Sequence, residues 1–386
     1  MPRSAFRLNE IRRLLPVLLA AALAPAPLLA QVFDSSAGPL RVEKVADGFE
    51  NPWALGFLPD GRLLVTERPG RLMLVANGEA TAVAGLPEIE EVGQGGLLDV
   101  AVSEDFAESG LIFFTYAETV PGEGARTAAA RARLLLDGAP RLEDVEVIFR
   151  MAPVVSGGRH FGSRIVLADD GTLFVTAGDR GKGDPAQDLQ SHIGKTLRIN
   201  RDGSVPADNP FSPEGPRAGE GLPEIWSYGH RNPQGAAKRP GDGAYWTIEH
   251  GARGGDEVNR PQAGRNYGWP AISYGTHYSG AKIGVGTEAP EMEQPVYYWD
   301  PSIAPSGAAF YDGDLFPEWR DDLFVGALKF QLIVRLDMEG DKVVGEERLF
   351  EDAFGRVRDV RSGPDGALWF LIDDDPGGVY RVTPAN

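Results

Sequence analysis

The chain has 386 residues, with 38 Lys and Arg against 56 Asp and Glu, a formal net charge of −18 and no cysteine. The missing cysteine excludes disulfides, thiolate nucleophiles, Cys-ligated zinc and iron–sulfur clusters, and the acidic surplus repels phosphate backbones and anionic lipid, so no nucleic-acid partner is expected. The 49 Gly and 30 Pro make about a fifth of the chain, a proportion that suits short strands joined by many turns rather than helices.

Residues 1–30 open with Arg3, Arg7, Arg12 and Arg13 around a single Glu10, continue as LLPVLLAAALAPAPLLA and end in small residues before Gln31. A basic start, a short apolar run broken by Pro16, Pro25 and Pro27 and a small-residue end predict an export signal cut after Ala30, not a permanent spanning helix. Cleavage removes four Arg and one Glu and takes the net charge from −18 to −21. The expectation is an acidic, globular protein in the periplasm or outside the cell, with no stable membrane span.

From residue 40 onward one pattern recurs. A small or turn residue leads into an alternating apolar strand, a tight turn and a second strand: NPWALGFLPDGRLLVTE from Asn51, GGLLDVAVSEDF from Gly95, FGSRIVLADDGTLFVTAGD from Phe161, NPQGAAKRPGDGAYWTIEHG from Asn232, PSGAAFYDGDLFPEWRDDLFVGAL from Pro305 and RVRDVRSGPDGALWFLIDD from Arg356. Asp60-Gly61, Asp170-Gly171, Asp242-Gly243 and Asp365-Gly366 supply the positive backbone angles a tight hairpin requires. Six hairpin units spaced widely enough for four strands each predict an all-β, six-bladed β-propeller of four-stranded antiparallel sheets in a single domain, residues 31–386. Residues 40–45 are placed to supply the outer strand of the last blade and cover its edge. RTAAARARLLLD from Arg126 has helix-forming residues, but its place between two strand signals favours a strand. Loops at one end of such strands surround an axial channel, and chemistry is expected there.

Of five histidines none has a zinc-binding HxxxH spacing, and no GxSxG marks a serine hydrolase. His160, in GGRHFGSRI, opens the third unit and faces the channel. Asp179, at the end of the same hairpin in VTAGDRG, is placed to return beside it and orient the imidazole. Taken alone, His160 reads equally as a hydrogen-bonded strand-end residue.

Six segments spread from Gly93 to Gly366 carry a resemblance: GQGGLLDVA, HFGSRI, QDLQSHIGKTLRINRDGSVPADNPF, YGHRNPQG, EHGARGGDEVNRPQAGRNYGWP and RVRDVRSGPDG. The chain resembles the pyrroloquinoline-quinone (PQQ)-dependent soluble glucose/sorbosone dehydrogenases, above all their aldose sugar dehydrogenase branch; GHRNPQG together with EHGxxGGDE is the specific part. The resemblance implies oxidation of an aldose at its anomeric carbon to a lactone, with His160 as general base and hydride transfer to the quinone, followed by transfer to an external electron acceptor. It implies that Gln94, Arg231 and Asn232 hold the cofactor, Arg231 beside the reacting oxygens, where a guanidinium stabilises developing negative charge. The three carboxylates of PQQ call for a local basic site, and Lys329, Arg356 and Arg358 match it; Arg356 and Arg358, two apart, share one strand face. Tyr278 is a further lining residue. Ca²⁺ is the second implied ligand: the carbonyls of Gly251 and Ala252 match those of a bridging calcium, and Glu257 with Tyr267 match a structural one.

Two departures stand out. Arg159 precedes the histidine where the soluble glucose dehydrogenase branch has an acid, so that branch's sugar preference does not transfer. Ala252 stands where proline is usual, a change of little consequence for a backbone ligand. Insertions used for dimer contacts are not evident, so a monomer is expected. Two other readings remain at this stage: a calcium-dependent propeller lactonase, which would need side-chain Glu, Asn and Asp ligands from several blades, and a non-catalytic extracellular binding propeller, which has no need of a base and a carboxylate clamp.

Overall fold

The computed structural model describes Met1 and residues 31–385; all but the first residue of the expected export signal lies outside them. Six antiparallel sheets stand around an axis, five of four strands and one of five. Their innermost strands, Pro52–Phe57, Leu97–Val102, Gly162–Leu167, Pro233–Lys238, Pro305–Phe310 and Val357–Ser362, begin at or within two residues of the six repeat starts, and each packs on the next until the sixth meets the first. The fold is the expected six-bladed propeller. Blades are numbered 1 to 6 in that order.

The local signals act as expected. Gly61, Gly171, Gly243 and Gly366 all have positive φ, between 66° and 86°. The alanine-rich segment lies in the strand Gly124–Leu135, because flanking strands on both sides offer its backbone a ladder that outweighs helix propensity. Leu40–Phe49 pairs antiparallel with the C-terminal strand Gly377–Pro384, so blade 6 is built from both ends of the chain, and Gln31–Phe33 adds a fifth strand outside it.

The core is six separate apolar clusters, one between each pair of neighbouring blades. The axis itself is polar. Arg164 of blade 3, 1% exposed, lies 3.1 Å from Asp99 of blade 2 and 3.1 Å from Asp359 of blade 6. Blades 3 and 6 are opposite one another, so this guanidinium spans the channel. Arg361 completes a two-plus-two charge set, donating to Asp359 and Asp99 at 2.9 Å each, and the Trp53 ring covers Arg164 at 4.1 Å. Blade 5 contributes Gly307, where a Cβ would fall 1.9 Å from Asp359 Oδ1. This plug divides the channel into two mouths, the lower one a cavity of about 610 Å³.

Candidate active site

All six inner strands start at the upper mouth. Gln94, His160, Arg231 with Asn232, and Arg356 therefore enter it just ahead of the strands of blades 2, 3, 4 and 6, and the loops between second and third strands bring in Asp179, His250 to Ala252, Lys329 and Asp373. Residues far apart in sequence meet because every blade presents the same two loops to the axis.

His160 and Asp179 are paired, Nδ1 to Oδ1 at 2.6 Å. Burial alone would raise the Asp179 carboxyl; the His160 contact and the Gly181 N–H outweigh it and hold the group below its ordinary range. An ionised Asp179 on Nδ1 keeps that nitrogen protonated and leaves Nε2 as the proton acceptor. His160 has φ of 51°, a strained value for a non-glycine residue, and its neighbours over-determine it. Gln94 Oε1 accepts from the His160 N–H at 2.8 Å, and Arg180 holds the preceding loop through the carbonyls of Gly157 and Arg159 with its guanidinium 3.5 Å from the Phe161 ring centre.

Arg231 is buried. Its backbone N–H donates to Glu249 Oε2 at 2.7 Å and its Nη1 to the His250 carbonyl at 3.1 Å, while its own carbonyl accepts from the Asp179 N–H at 2.7 Å. Asn232 Oδ1 accepts from the Gly162 N–H at 3.1 Å, tying blade 4 to the start of blade 3. Arg358 is 6% exposed; it donates to Asp373 at 2.5 Å and to Gln234 Oε1 at 3.1 Å, and burial lowers its pKa against the pull of Asp373. Arg356 reaches the same carboxylate at 3.4 Å, so the two arginines share one side as the spacing predicts, with Asp373 between them. Lys329 has no ion-pair partner among the described residues and lies over the Phe330 ring at 5.1 Å. It lines a cavity of about 640 Å³ together with His250, Gly251, Ala252 and Tyr278. Tyr278 stands on its rim, 75% exposed.

Among the described residues, the buried nitrogens at this mouth without a protein partner include Arg231 Nε, Arg358 Nε and His250 Nε2, with Arg68 Nε and Arg180 Nε at its edge. Buried polar atoms are almost always satisfied. Burial and then the nearby Arg231, Arg358 and His160 push the His250 imidazole well below its ordinary value, so this ring stays neutral. The arginine donors among them, beside Lys329, suit an oxygen-rich, anionic, planar ligand, and the fit to PQQ is good.

The cation positions also fit. The loop 250–256 curls so tightly that a Cβ on Gly251 would meet the carbonyls of Gly254 and Gly255 at 2.2 and 2.3 Å. Asp256 pins it by accepting from the N–H groups of Gly251, Ile303 and Ala304 and from the Ser302 hydroxyl. Glu257 and Tyr267 lie behind this loop, around a small cavity that also includes Glu249. Burial and the neighbouring Glu249 raise the Glu257 carboxyl to about 8, a charge deficit that a divalent cation would correct. The Tyr267 phenol is engaged with Arg260 and Gln262, so its backbone carbonyl is the group left for a cation.

Residues 49–381 match the family model described as Glucose / Sorbosone dehydrogenase. The chain belongs to the glucose/sorbosone dehydrogenase family. It is 43% identical over 370 residues to the aldose sugar dehydrogenase YliI of Escherichia coli, covering 94% of this chain and 98% of that one. The crystal structure of the soluble aldose sugar dehydrogenase of Escherichia coli in its apo-form superposes with a TM-score of 0.85 at 43% identity, covering 89% of this chain and 99% of that one. The PQQ-bound form of the aldose sugar dehydrogenase of Streptomyces coelicolor gives a TM-score of 0.71 at 26% identity over 89% of this chain and 98% of that one.

Residues that sequence reasoning passed over also stand in this site, among them Arg180, His250, Asp256 and Trp269, with Glu249 and Asp373 as partners of its arginines. His250, Asp256 and Trp269 lie inside EHGARGGDE and NYGWP, and Arg180 follows Asp179 directly. The signal was adjacency to named residues; no spacing rule singles them out.

Proposed function

We propose that this member of the family is a PQQ- and Ca²⁺-dependent aldose dehydrogenase that oxidises the anomeric carbon of an aldose to the lactone. The observation that carries the reading is the convergence on one mouth of a His–Asp pair and partnerless buried nitrogens of Arg231, Arg358 and His250, with a PQQ-bound relative of the same fold. When bound, PQQ supplies the electrophilic carbon that accepts hydride, with Ca²⁺ polarising it. Arg231, Arg358 and Lys329 hold the anionic group, with Gln94, Asn232, Arg356 and Tyr278 around it. Gly251 and Ala252 offer carbonyls to the bridging cation, Glu257 and Tyr267 to the structural one. His160 Nε2 takes the proton of the anomeric hydroxyl, and Asp179 stabilises the imidazolium that results. Arg231, already oriented by Glu249 and His250, needs no reorganisation to stabilise charge developing on oxygen.

The test is dye-linked oxidation of an aldose panel with PQQ and Ca²⁺ added singly and together. Oxidation is expected only with both, to be abolished by exhaustive chelation and restored by Ca²⁺ plus quinone; no oxidation of any aldose with both present overturns the reading. The same reading places the mature protein, a monomer starting at Gln31, in the periplasm or outside the cell, passing electrons to an external acceptor. N-terminal sequencing and light scattering of the exported protein check this. Among the described residues no helix is long and apolar enough to cross a membrane.

A further inference from the structure

Trp269 stands where the base, the cofactor arginine and the cation loop meet. Its Nε1 donates to Asp179 Oδ2 at 2.8 Å, its ring lies 5.2 Å from the Arg231 guanidinium, and it lines the same small cavity as Glu257 and Tyr267. The other carboxylate oxygen, Asp179 Oδ1, accepts from the Gly181 N–H at 2.7 Å and faces His160 Nδ1. Each oxygen of Asp179 therefore has a separate task, one toward the imidazole and one held by the indole.

The indole is itself fixed. The Trp269 backbone N–H donates to the Gly229 carbonyl at 2.9 Å, its backbone carbonyl accepts from Gln187 Nε2 at 2.7 Å, and Gln187 is locked by a reciprocal pair with Asn266 at 2.8 and 3.0 Å. An indole N–H only donates, so it keeps its bond to the carboxylate whether His160 is neutral or charged. The charged and titratable groups near His160 are Asp179 on its own hairpin and Arg231 and His250 on blade 4; Arg180 and Arg159 flank it, with the Arg180 guanidinium committed to backbone carbonyls.

We propose that Trp269 is a positioning residue of the proposed reaction: its N–H fixes the Asp179 carboxylate against His160 while its ring face supports Arg231, so that proton acceptor and cofactor arginine are aligned by one side chain. This rests on the dehydrogenase reading for its chemistry but not for its geometry. Outer partners of metal-ligating histidines are commonly worth about 10- to 100-fold in metal affinity or activity, and the lower end of that range is the expectation for a partner one step behind a general base.

The test is Trp269→Phe, which keeps a ring and removes the N–H, compared with Asp179→Asn and the double variant. In quinone-free protein, the titration midpoint of the His160 ring protons should move downward in Trp269→Phe, in the direction that Asp179→Asn moves it and by less, because a carboxylate freed to turn away stabilises imidazolium less. In the Asp179→Asn background the second substitution should add nothing, the mark of action through Asp179. With quinone, kcat should fall about 10-fold with a displaced acid limb, and Trp269→Leu should in addition weaken quinone binding. In unaltered protein the Trp269 indole N–H resonance should titrate together with His160, a measurement that does not depend on any variant folding. An unmoved midpoint in folded Trp269→Phe, full additivity with Asp179→Asn, or an indole resonance flat across the His160 titration overturns the proposal. Failure of the unaltered protein to oxidise any aldose removes the dehydrogenase reading, while the two resonance measurements still decide the Trp–Asp–His coupling.

Discussion

The seam between blades 3 and 4 and the seam between blades 5 and 6 are built on opposite principles. The first has only five buried apolar residues, Val166, Ala168, Phe174, Ala236 and Tyr245, and is joined by directional bonds: Thr196, Ser227, His230 and Glu249 run in a chain of contacts between 2.6 and 2.9 Å, Thr176 donates to the Pro233 carbonyl, and Asp179 and Arg231 meet through the backbone. The second packs Tyr311, Phe316, Trp319, Phe324, Phe350 and Phe370 around the paired chain ends. Hydrogen bonds fix angles and suit the seam that carries the site; non-directional burial tolerates small shifts and suits the seam that keeps the ring shut.

The largest effect expected is at the polar seam. His160→Gln keeps a polar side chain that accepts no proton at neutral pH, so kcat should fall roughly 10²–10⁴-fold with quinone affinity and unfolding midpoint preserved; turnover near the unaltered rate would reduce His160 to a strand-end residue. Trp319, 0% exposed, tests the apolar seam. Trp319→Ala should lower stability in a denaturant titration by about 3–5 kcal/mol and leave quinone affinity unchanged in whatever remains folded. A stability near that of the unaltered protein would mean that ring closure rests on strand pairing instead.

Lys329→Ala and Arg358→Ala sharpen the contrast within the site. Each should weaken quinone binding by roughly 1.5–3 kcal/mol, the range of hydrogen bonds to charged groups. Only Arg358→Ala should also destabilise the fold, because it leaves the buried Asp373 with only the longer Arg356 contact. Quinone affinity unchanged from the unaltered protein in both variants would leave the clamp without support. The smallest effect concerns acid. Asp170, at the lower edge of the polar seam, is raised by partial burial, but hydrogen bonds from Thr172 and the Arg198 guanidinium outweigh this and bring it from an ordinary 3.8 down to about 2. A carboxyl lowered in the fold stabilises above its ordinary value and loses that contribution as the pH falls toward about 2. Asp170→Asn should therefore flatten stability against pH over this interval only; a curve parallel to that of the unaltered protein would show that the pair contributes nothing.

The two seams also differ in what a linear reading reveals. Phe316, Trp319 and Phe324 stand close together in one unit, and their apolar character alone predicts burial. His160 with Asp179, and Arg356 with Arg358, are legible because each pair lies at one end of a single hairpin, close in sequence. Trp269 reaches Asp179 across 90 residues and Arg164 reaches Asp359 across nearly 200; no periodicity connects such positions, and only ring closure brings them into contact.

The sequence by itself determined the strands, the turns and their repetition, because alternation, Asp-Gly pairs and repeat starts are local properties of backbone and side chain. It also marked the chemistry-bearing residues through a family resemblance. The tertiary structure alone decided which of those residues face one another, that the axis is crossed by a buried arginine between two aspartates, and that nitrogens of Arg231, Arg358 and His250 are left unpaired in one mouth. Those features depend on six separate sheets meeting at an axis, where distances are set by the packing of blades and not by separation along the chain.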